Sequence, residues 1–292
     1  MRVSCVILNY NDASTTISLV NDISHFSSVD TIVIVDNCST DDSLIQLRKI
    51  VQEKVFLLET DINGGYGYGN NWGIRYATEH LGAEYVVIAN PDVCITDSSI
   101  STAVKIMKEN AKIAAVAPKQ KDANNKEIRD LAWKIPTKWQ YIFSAEGIMR
   151  RFTKGFSYDP SFFQQDKEYV YVDCLPGAFL IIDTEKFLTV GGYDESFFLY
   201  CEETTLARKF KAKGYLSCLL LNDSYNHIHS VSINKSISSI YKQKKIMLNS
   251  RKLYLKKYEA VSMGVLVCAS IVYEISLVET LIIEKIKGFF KF

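Results

Sequence analysis

The feature that most constrains the fold of this chain is a regular alternation of apolar runs with helix-compatible segments over residues 3–89. The runs are short, rich in Val and Ile, and have the length of strands: 3–8, 31–35, 55–58 and 85–89. The segments between them carry apolar residues at helical spacing: 13–26, 42–52 and 70–80. Strands that alternate with helices in this way predict an α/β fold with a doubly wound sheet.

Composition narrows the class of protein further. The net charge of +1 over 292 residues gives no reason to expect a nucleic acid as partner. The seven cysteines are scattered without a CxxC pair, which favours reduced thiols over a disulfide framework or a zinc site. The first residues lead directly into the first predicted strand and lack the pattern of a signal peptide, so the sequence predicts a cytoplasmic location.

Polar side chains follow the ends of the predicted strands. Asn9 follows the first strand, Asp36 follows the second, and Asn90 and Asp92 follow the fourth. In an open α/β sheet, ligands bind beyond the carboxyl ends of the strands. Asn90-Pro91-Asp92 alone is typical of a simple turn. Several carboxylates and amides at one sheet edge, however, suit a divalent cation and a phosphorylated ligand.

A glycine-rich loop, NGGYGYGNN at residues 63–71, follows the third predicted strand. Its four glycines would let the backbone approach a ligand closely. The loop is neither a Walker motif nor a GxGxxG fingerprint after the first strand, and it indicates little by itself.

Six stretches in order identify a family that this chain resembles: VSCVILNYND, VIVDNCSTDDS, NGGYGYGNNWGI, VVIANPDV, VDCLPGAFLIID and GGYDESFFLYCEETTLARKFKAKGY. Together they resemble the family-two glycosyltransferases, which are inverting, nucleotide-sugar-dependent enzymes with the GT-A fold. The resemblance covers roughly residues 2 to 258. NPD in place of the usual DxD triplet is similar to the branch that includes many bacterial rhamnosyltransferases of surface-polysaccharide assembly.

The resemblance implies a role for each motif residue. Asp92 would bind Mg²⁺ or Mn²⁺ together with the donor's diphosphate, and Asn90 would lie near the ribose or the metal. His227 or His229 would complete the metal site or contact the diphosphate, with a structural role as the alternative. The remaining donor-site residues comprise base contacts, the glycine-rich loop and the sugar and acceptor side of the cleft: Asn9, Asp36, Asn71, Asn63, Gly64, Gly177 and Ala178.

The resemblance also implies a general base in FLYCEETTL. The family usually has Glu-Asp at this point, with the second acid as base, whereas this chain has Glu202-Glu203. Glu203 is therefore the first candidate and Glu202 the second. The alternative is that both acids only complement the dipole of the helix that they begin.

The implied function is inverting transfer of a sugar, with rhamnose favoured, from a dTDP- or UDP-linked donor to a saccharide or lipid-linked saccharide. A UDP-sugar-dependent galactosyl- or glucosyltransferase of the same family is the alternative. A sugar nucleotidyltransferase would need a basic triphosphate loop after the first strand, which NYNDAST does not provide. A catalytically silent saccharide-binding scaffold is the alternative outside the enzymes.

The predicted organisation is a GT-A domain over residues 1–235 and a basic and apolar helical region over residues 236–292. The GT-A domain comprises a nucleotide-sugar half (1–95) merged with an acceptor-binding and catalytic half (96–235). Residues 236–258 hold seven basic residues and no acidic one, and the uncharged stretch 260–273 follows. Fourteen residues are short for a bilayer crossing, which needs about 20. The sequence therefore predicts peripheral attachment to the anionic inner face of the cell membrane, with a docked or homo-oligomerising helix as the alternative.

Overall fold

A computed structural model describes residues 2–145, 155–228 and 239–289. The first part of the chain alternates strands and helices: β1 (Val3–Asn9), α1 (Ala13–Ile23), β2 (Thr31–Asp36), α2 (Ser43–Leu47), β3 (Val55–Glu59), α3 (Tyr66–Glu79) and β4 (Tyr85–Ala89). The second part is less regular: β5 (Val93–Cys94), α4 (Asp97–Glu109), β6 (Ile113–Lys121), α5 (Lys138–Phe143), β7 (Tyr169–Val172), β8 (Phe179–Asp183), α6 (Thr184–Thr189), α7 (Glu202–Ala212) and β9 (Leu216–His227). Two long helices follow: α8 (Ile240–Lys257) and α9 (Met263–Phe289).

The strands form one mixed sheet in the order β3-β2-β1-β4-β8-β6-β9-β5, with β7 paired to β9. Strands β3, β2, β1 and β4 are parallel, and β8 lies antiparallel between β4 and β6. The predicted α/β class is confirmed, since the first four strands have the expected parallel order. The antiparallel β8 then joins this half to the second half of the chain.

Helices cover both faces of the sheet. On one face, Leu19 of α1 and Ile100 of α4 share a buried cluster with alternate residues of β1. On the other face, Ile74 of α3 and Leu206 of α7 pack in a second cluster with Val6. Because successive side chains of a strand point to opposite faces, β1 contributes to both clusters. The sheet is therefore doubly wound, as predicted.

Several elements differ from the sequence-based expectation. Helix α3 begins at Tyr66, four residues before the predicted start, because its glycines pack tightly on the sheet. A Cβ atom at Gly69 would overlap the side chain of Leu8, and one at Gly73 would overlap that of Val6. Beyond residue 89, apolar runs in the sequence predict strands over 113–117 and 216–221; β6 and β9 run past those ends, and the sequence did not predict α5, α6 or β7.

Helices α8 and α9 form an antiparallel pair, called the C-terminal hairpin below. Lys244 Nζ in α8 donates to the Ser276 carbonyl (3.1 Å) and to Thr280 Oγ1 (2.8 Å) in α9. Helix α9 has 27 residues, so the apolar helix is much longer than the uncharged stretch of fourteen residues indicated. By length and composition alone, Met263–Ile286 could cross a membrane. The hairpin packs on α5 and on the segment before α7 in a third buried cluster, which includes Tyr141, Cys201, Leu255 and Tyr273.

Candidate active site

The register of the sheet brings the predicted site residues to one edge. Asn9 pairs with Asp36 at the carboxyl ends of β1 and β2, and Ile7 pairs with Ala89 of β4. Because β8 is antiparallel to β4, its first residues lie at this same edge. The Asn90 N–H donates to the Ala178 carbonyl (2.8 Å). Three strand ends and the start of β8 therefore form one polar edge, called the catalytic edge below.

Asn9 positions the Asp36 carboxylate at this edge by hydrogen bonding. Its Nδ2 donates to Asp36 Oδ1 (2.8 Å) and Ser39 Oγ (3.2 Å), and its Oδ1 accepts from Thr16 Oγ1 (2.8 Å). Asn9 has no exposed surface. The side chain thus orients Asp36, and both of its amide hydrogens are used within the protein; the base contact that the resemblance implies stays a prediction.

The glycine-rich loop is held by protein contacts. Asn63 Oδ1 accepts from Asn37 Nδ2 (2.9 Å) and from the Gly65 N–H (3.2 Å). Gly65 has a φ of 90°, and a Cβ there would overlap the Phe198 carbonyl. A Cβ at Gly64 would overlap the ring of Tyr68. At both positions glycine is required by neighbouring protein atoms, not by the close approach of a ligand that the sequence suggested.

Asn71 lies within α3 and not in a loop. Its Nδ2 donates to the Tyr193 carbonyl (3.0 Å) and to Glu195 Oε1 (2.8 Å), and its Oδ1 accepts from the Tyr193 N–H (2.9 Å). Both amide hydrogens and the oxygen are thus bound to the turn before α7. This arrangement makes Asn71 a link between α3 and that turn, and the contact to the base that the resemblance implies stays a prediction.

The acid pair begins α7 after an unusual backbone. Tyr200 and Cys201 both have left-handed φ angles, 70° and 72°. Such angles are costly for residues other than glycine and persist where the surrounding structure enforces them. Ser250 Oγ of α8 donates to the Leu199 carbonyl (2.6 Å) and so braces this segment. The backbone therefore fixes where Glu202 and Glu203 lie.

The Glu203 carboxyl lies beside Gly177, just before β8 at the catalytic edge. A Cβ at Gly177 would lie 3.2 Å from Glu203 Oε1, so the Gly177 backbone lies beside the Glu203 carboxyl. Tyr66 Oη donates to the Gly177 carbonyl (2.7 Å). The structure thus places Gly177, Ala178 and Glu203 together, as the motif order predicted. Tyr66 was not singled out from the sequence, since a tyrosine in a glycine-rich loop carries no distinctive signal.

The two acids differ in environment. Glu202 is 4% exposed, and its Oε1 has no hydrogen-bond partner among the residues that the structure describes. Burial raises the pKa of Glu202 well above its usual value, and the charge of Glu203 raises that pKa further. Burial also raises the pKa of Glu203, but the N–H groups of Glu203 and Gly177 oppose that rise. Burial and the neighbouring charge thus favour the neutral form of Glu202, whereas the backbone N–H groups favour the charged form of Glu203.

Asp92 and His227 meet beside the catalytic edge. His227 Nε2 lies 3.1 Å from Asp92 Oδ1, and both side chains are buried. The contact depends on the pairing of β5 with β9, which aligns Val93 with His227. His229 lies outside the described residues. Within the described ranges, no group of three or more His, Cys, Asp and Glu side chains forms a metal cage.

A buried chain of polar groups stands behind His227. Gln120 Nε2 lies 3.0 Å from His227 Nδ1, and Tyr225 Oη donates to Gln120 Oε1 (3.0 Å). All three side chains are at most 8% exposed. Sequence reasoning missed Gln120, because its segment looked like a polar loop. Tyr225 could have been inferred from the sequence, because it lies two residues before His227 and alternate residues of a strand share a face.

Three curated proteins that the chain matches are glycosyltransferases. The low-salt glycan biosynthesis hexosyltransferase Agl10 of Haloferax volcanii is 26% identical over 69% of this chain and 59% of its own length. Rhamnosyltransferase WbbL of Escherichia coli is 24% identical over 51% of this chain and 55% of its own. The N-acetylglucosaminyl-diphospho-decaprenol L-rhamnosyltransferase of Mycobacterium tuberculosis is 27% identical over 64% of this chain and 62% of its own. The chain thus matches less than two thirds of the length of each of these curated relatives.

Solved structures show the same fold. The mannosyltransferase PcManGT from Pyrobaculum calidifontis, in complex with GDP-Man and Mn²⁺, has a TM-score of 0.59 at 14% identity, over 96% of this chain and 74% of that one. S. aureus TarS 1-349 has a TM-score of 0.55 at 15% identity, over 88% of this chain and 66% of that one. The model of glycosyl transferase family 2 matches residues 4–171, which is more than half of the chain. The sequence, the fold and this match agree: the chain belongs to glycosyl transferase family 2.

Proposed function

We propose that this protein is an inverting, metal-dependent glycosyltransferase that moves a sugar from a nucleotide-sugar donor to a saccharide or lipid-linked saccharide in bacterial surface-polysaccharide assembly. The observation that carries the proposal is that Glu203 lies beside Gly177, whose neighbour Ala178 accepts from the Asn90 N–H two residues before Asp92, at the sheet edge that also holds Asp36. Charged and polar groups from distant parts of the chain meet there. Rhamnose is the favoured sugar, because two of the curated relatives above are rhamnosyltransferases.

Asp92 and His227 fit a Mg²⁺ or Mn²⁺ ion. Asp92 Oδ1 and His227 Nε2 lie 3.1 Å apart, and they would offer one carboxylate oxygen and, with the ring proton on Nδ1 and the Gln120 amide turned to accept it, one imidazole nitrogen. Such a pair would leave most coordination positions to water and to the donor's diphosphate oxygens, as Mg²⁺ prefers. When bound, the metal would stabilise the negative charge of the leaving nucleoside diphosphate.

Glu203 is the proposed general base. It would accept the proton of the acceptor hydroxyl as that oxygen attacks the anomeric carbon. Attack from the side opposite the leaving group inverts the anomeric configuration and needs no nucleophile from the protein. Glu202, kept neutral by burial and by its neighbour, would preserve the position of Glu203 without competing for the proton.

The donor site can be tested by thermal shifts with dTDP, UDP, GDP and CDP, each with and without Mg²⁺ or Mn²⁺. A ligand at 100 times its dissociation constant adds about 2.7 kcal/mol to the free energy of unfolding. We expect dTDP or UDP to stabilise the protein in a metal-dependent way. A shift by dTDP alone would favour rhamnose, and one by UDP the UDP-sugar alternative.

The matched variants are Asp92→Ala and Asp22→Ala. Asp22 is an exposed carboxylate on α1, so its removal should leave the nucleotide shift intact, whereas Asp92→Ala should abolish the metal dependence. If no nucleotide stabilises the wild type under any metal condition, the donor site is refuted. The saccharide-binding scaffold would then explain the fold better.

A further inference from the structure

Helix α9 exposes a row of large apolar side chains. They recur every three or four residues, so they share one face of the helix, and each is at least 50% exposed: Met263, Val267, Ile271, Ile275, Val278, Ile282 and Ile286. At 1.5 Å per residue the row is about 35 Å long. Glu274 and Lys285 lie at one margin of it. A continuous apolar patch of this kind is often a functional surface.

The opposite face of α9 is packed. Ala269, Val272, Tyr273 and Leu277 are buried in the cluster that the hairpin shares with α5. Tyr273 Oη donates to the Tyr141 carbonyl (3.2 Å), and Ser276 and Thr280 accept from Lys244 of α8. The exposed row therefore points away from the protein body. Its exposure is a property of the packed helix and not of a detached one.

Helix α8 carries a row of lysines beside α9. Lys242, Lys245, Lys252 and Lys256 are all exposed, and α8 has no acidic residue. Packed helices lie about 8–10 Å apart, which is comparable to the Debye length of about 8 Å at physiological ionic strength. The lysine row and the apolar row are therefore exposed faces of two helices that pack side by side, and this spacing would let the lysines attract an anionic surface that the apolar row contacts.

We propose that the C-terminal hairpin is a docking surface for an anionic lipid bilayer. The apolar row of α9 would enter the boundary between headgroups and acyl chains, and the lysine row of α8 would attract the headgroups.

Two other occupants fit the hairpin less well. A strip about 35 Å long and one helix diameter wide, about 10 Å, covers roughly 350 Å². A stable dimer buries about 800 Å² on each partner, so the row alone is too small for a second copy of the chain. A bilayer crossing by α9 would require the buried face, with Ser276, Thr280 and the bound Lys244, to leave the protein body.

The hairpin also contacts the segment that carries the acid pair. Ser250 Oγ donates to the Leu199 carbonyl (2.6 Å), and Arg208 of α7 donates to Tyr254 Oη (2.8 Å) and to Glu259. Bilayer docking would therefore set Glu203 at a fixed position relative to the membrane. That position suits an acceptor whose lipid remains in the bilayer.

The test is flotation of the full chain with vesicles of phosphatidylcholine, with and without phosphatidylglycerol as the anionic lipid. One variant, Ile271→Asn/Ile275→Asn, makes the apolar row polar. The other, Lys245→Glu/Lys252→Glu, reverses two lysines of the flanking row. The controls, Ile45→Asn/Val51→Asn and Lys49→Glu/Lys54→Glu, change exposed residues of the same types near α2.

We expect the wild type and both controls to bind the anionic vesicles. The Ile variant should lose affinity on the order of tenfold on both kinds of vesicle. The Lys variant should lose up to about fivefold per charge, and only on anionic vesicles. Circular dichroism on each variant separates a loss of binding from a loss of folding.

Four results would overturn the proposal. The first two would show that the hairpin does not bind a bilayer: a wild type that floats with neither vesicle, or variants that bind as well as the wild type. The third is a membrane-bound protein that resists carbonate extraction, which would indicate a spanning helix. The fourth is a dimer in solution that the Ile variant dissociates, which would indicate a second copy of the chain as the occupant. Vesicle binding needs no donor or acceptor. Its outcome is therefore separate from that of the glycosyltransferase proposal.

Discussion

Two adjacent glutamates at the start of α7 have different chemistry because their surroundings differ. Glu202 is buried, and its Oε1 has no partner within the described part of the chain, whereas Glu203 is partly exposed and lies beside Gly177. Desolvation disfavours the charged form, and hydrogen bonds to the carboxylate favour it. The same residue type is therefore expected to differ in charge at two neighbouring positions, which is the basis for proposing Glu203 and not Glu202 as the general base.

Glu203→Gln should abolish turnover, and Glu202→Gln should not. Loss of a general base costs roughly 10²–10⁴-fold in rate, whereas Gln resembles the neutral Glu202 in shape, so we expect a change within about tenfold. Product formation from the nucleotide-sugar, with folding checked by circular dichroism, measures both. Equal losses in the two variants would contradict the separate roles.

The same pair predicts a pH dependence with a definite sign. Because the pKa of Glu203 lies above its ordinary value of 4.5, kcat/KM should fall as the pH decreases through that raised pKa. For Glu202, a raised pKa in the folded state means that stability is lost as the pH rises through it. The stability of Glu202→Gln relative to the wild type should therefore increase with pH above about 4.5, in denaturation measured across the pH range.

Gln120 is predicted to orient His227 for metal binding. Outer hydrogen bonds of this kind hold a ligand's ring and typically change metal affinity by about 10–100-fold. Gln120→Leu should weaken Mn²⁺ binding by that factor in the presence of a nucleoside diphosphate, as measured by calorimetry or by the Mn²⁺ resonance signal. Asn226→Ala is the control, because Asn226 donates to the Asp122 carbonyl (3.1 Å) and lies on the opposite face of β9 from His227. A loss of equal size in both variants would contradict the prediction.

At the scale of elements, Gly65 joins the glycine-rich loop to the segment before the acid pair. Its φ of 90° and its contact with Phe198 exclude a side chain, whereas Gly82 has a φ of 66° in open space. Gly82→Ala should cost only the roughly 1–2 kcal/mol of a left-handed alanine. Gly65→Ala adds an overlap that costs about 1–3 kcal/mol more, and it should also reduce turnover because Phe198 leads into Tyr200 and Cys201.

Chemical denaturation of the two alanine variants measures this difference in the free energy of unfolding. Equal destabilisation by Gly65→Ala and Gly82→Ala would show that the contact with Phe198 is unimportant. Normal activity in Gly65→Ala would show that the loop does not position the acid pair.

The elements also show what the sequence could predict. Strands β1, β2 and β4 lie within one residue of their predicted ends, because apolar runs buried on both faces are local signals. Strand β7 and helix α5 were missed, since their segments mix aromatic and polar residues without a clear period. The pairing that brings His227 to Asp92 joins positions 135 residues apart. No local pattern contains that pairing, and only the family resemblance suggested it.

At the scale of the molecule, the C-terminal hairpin and the GT-A body share one buried cluster. Tyr141 of α5 and Cys201 before α7 lie in it together with Leu255 and Tyr273 of the hairpin. The sequence predicted a basic and apolar helical region from residue 236 onward. Both helices of that region share this buried cluster with residues of the preceding domain. Shared burial of this kind favours a single cooperative unfolding transition.

Arg208→Ala tests this coupling, because Arg208 of α7 holds both Tyr254 and Glu259 of the hairpin. Hydrogen bonds to a charged group contribute about 1.5–3 kcal/mol each, so we expect a loss of stability of about that size, in one transition. Lys105→Ala is the control, since Lys105 and Glu109 form a surface pair at 3.9 Å that is worth about 0–1 kcal/mol. Urea unfolding followed by both far-ultraviolet circular dichroism and tryptophan fluorescence gives the measurement. Coincident curves from the two probes would support a body and hairpin that fold as one unit. An earlier transition seen only by circular dichroism would show instead that the hairpin unfolds separately.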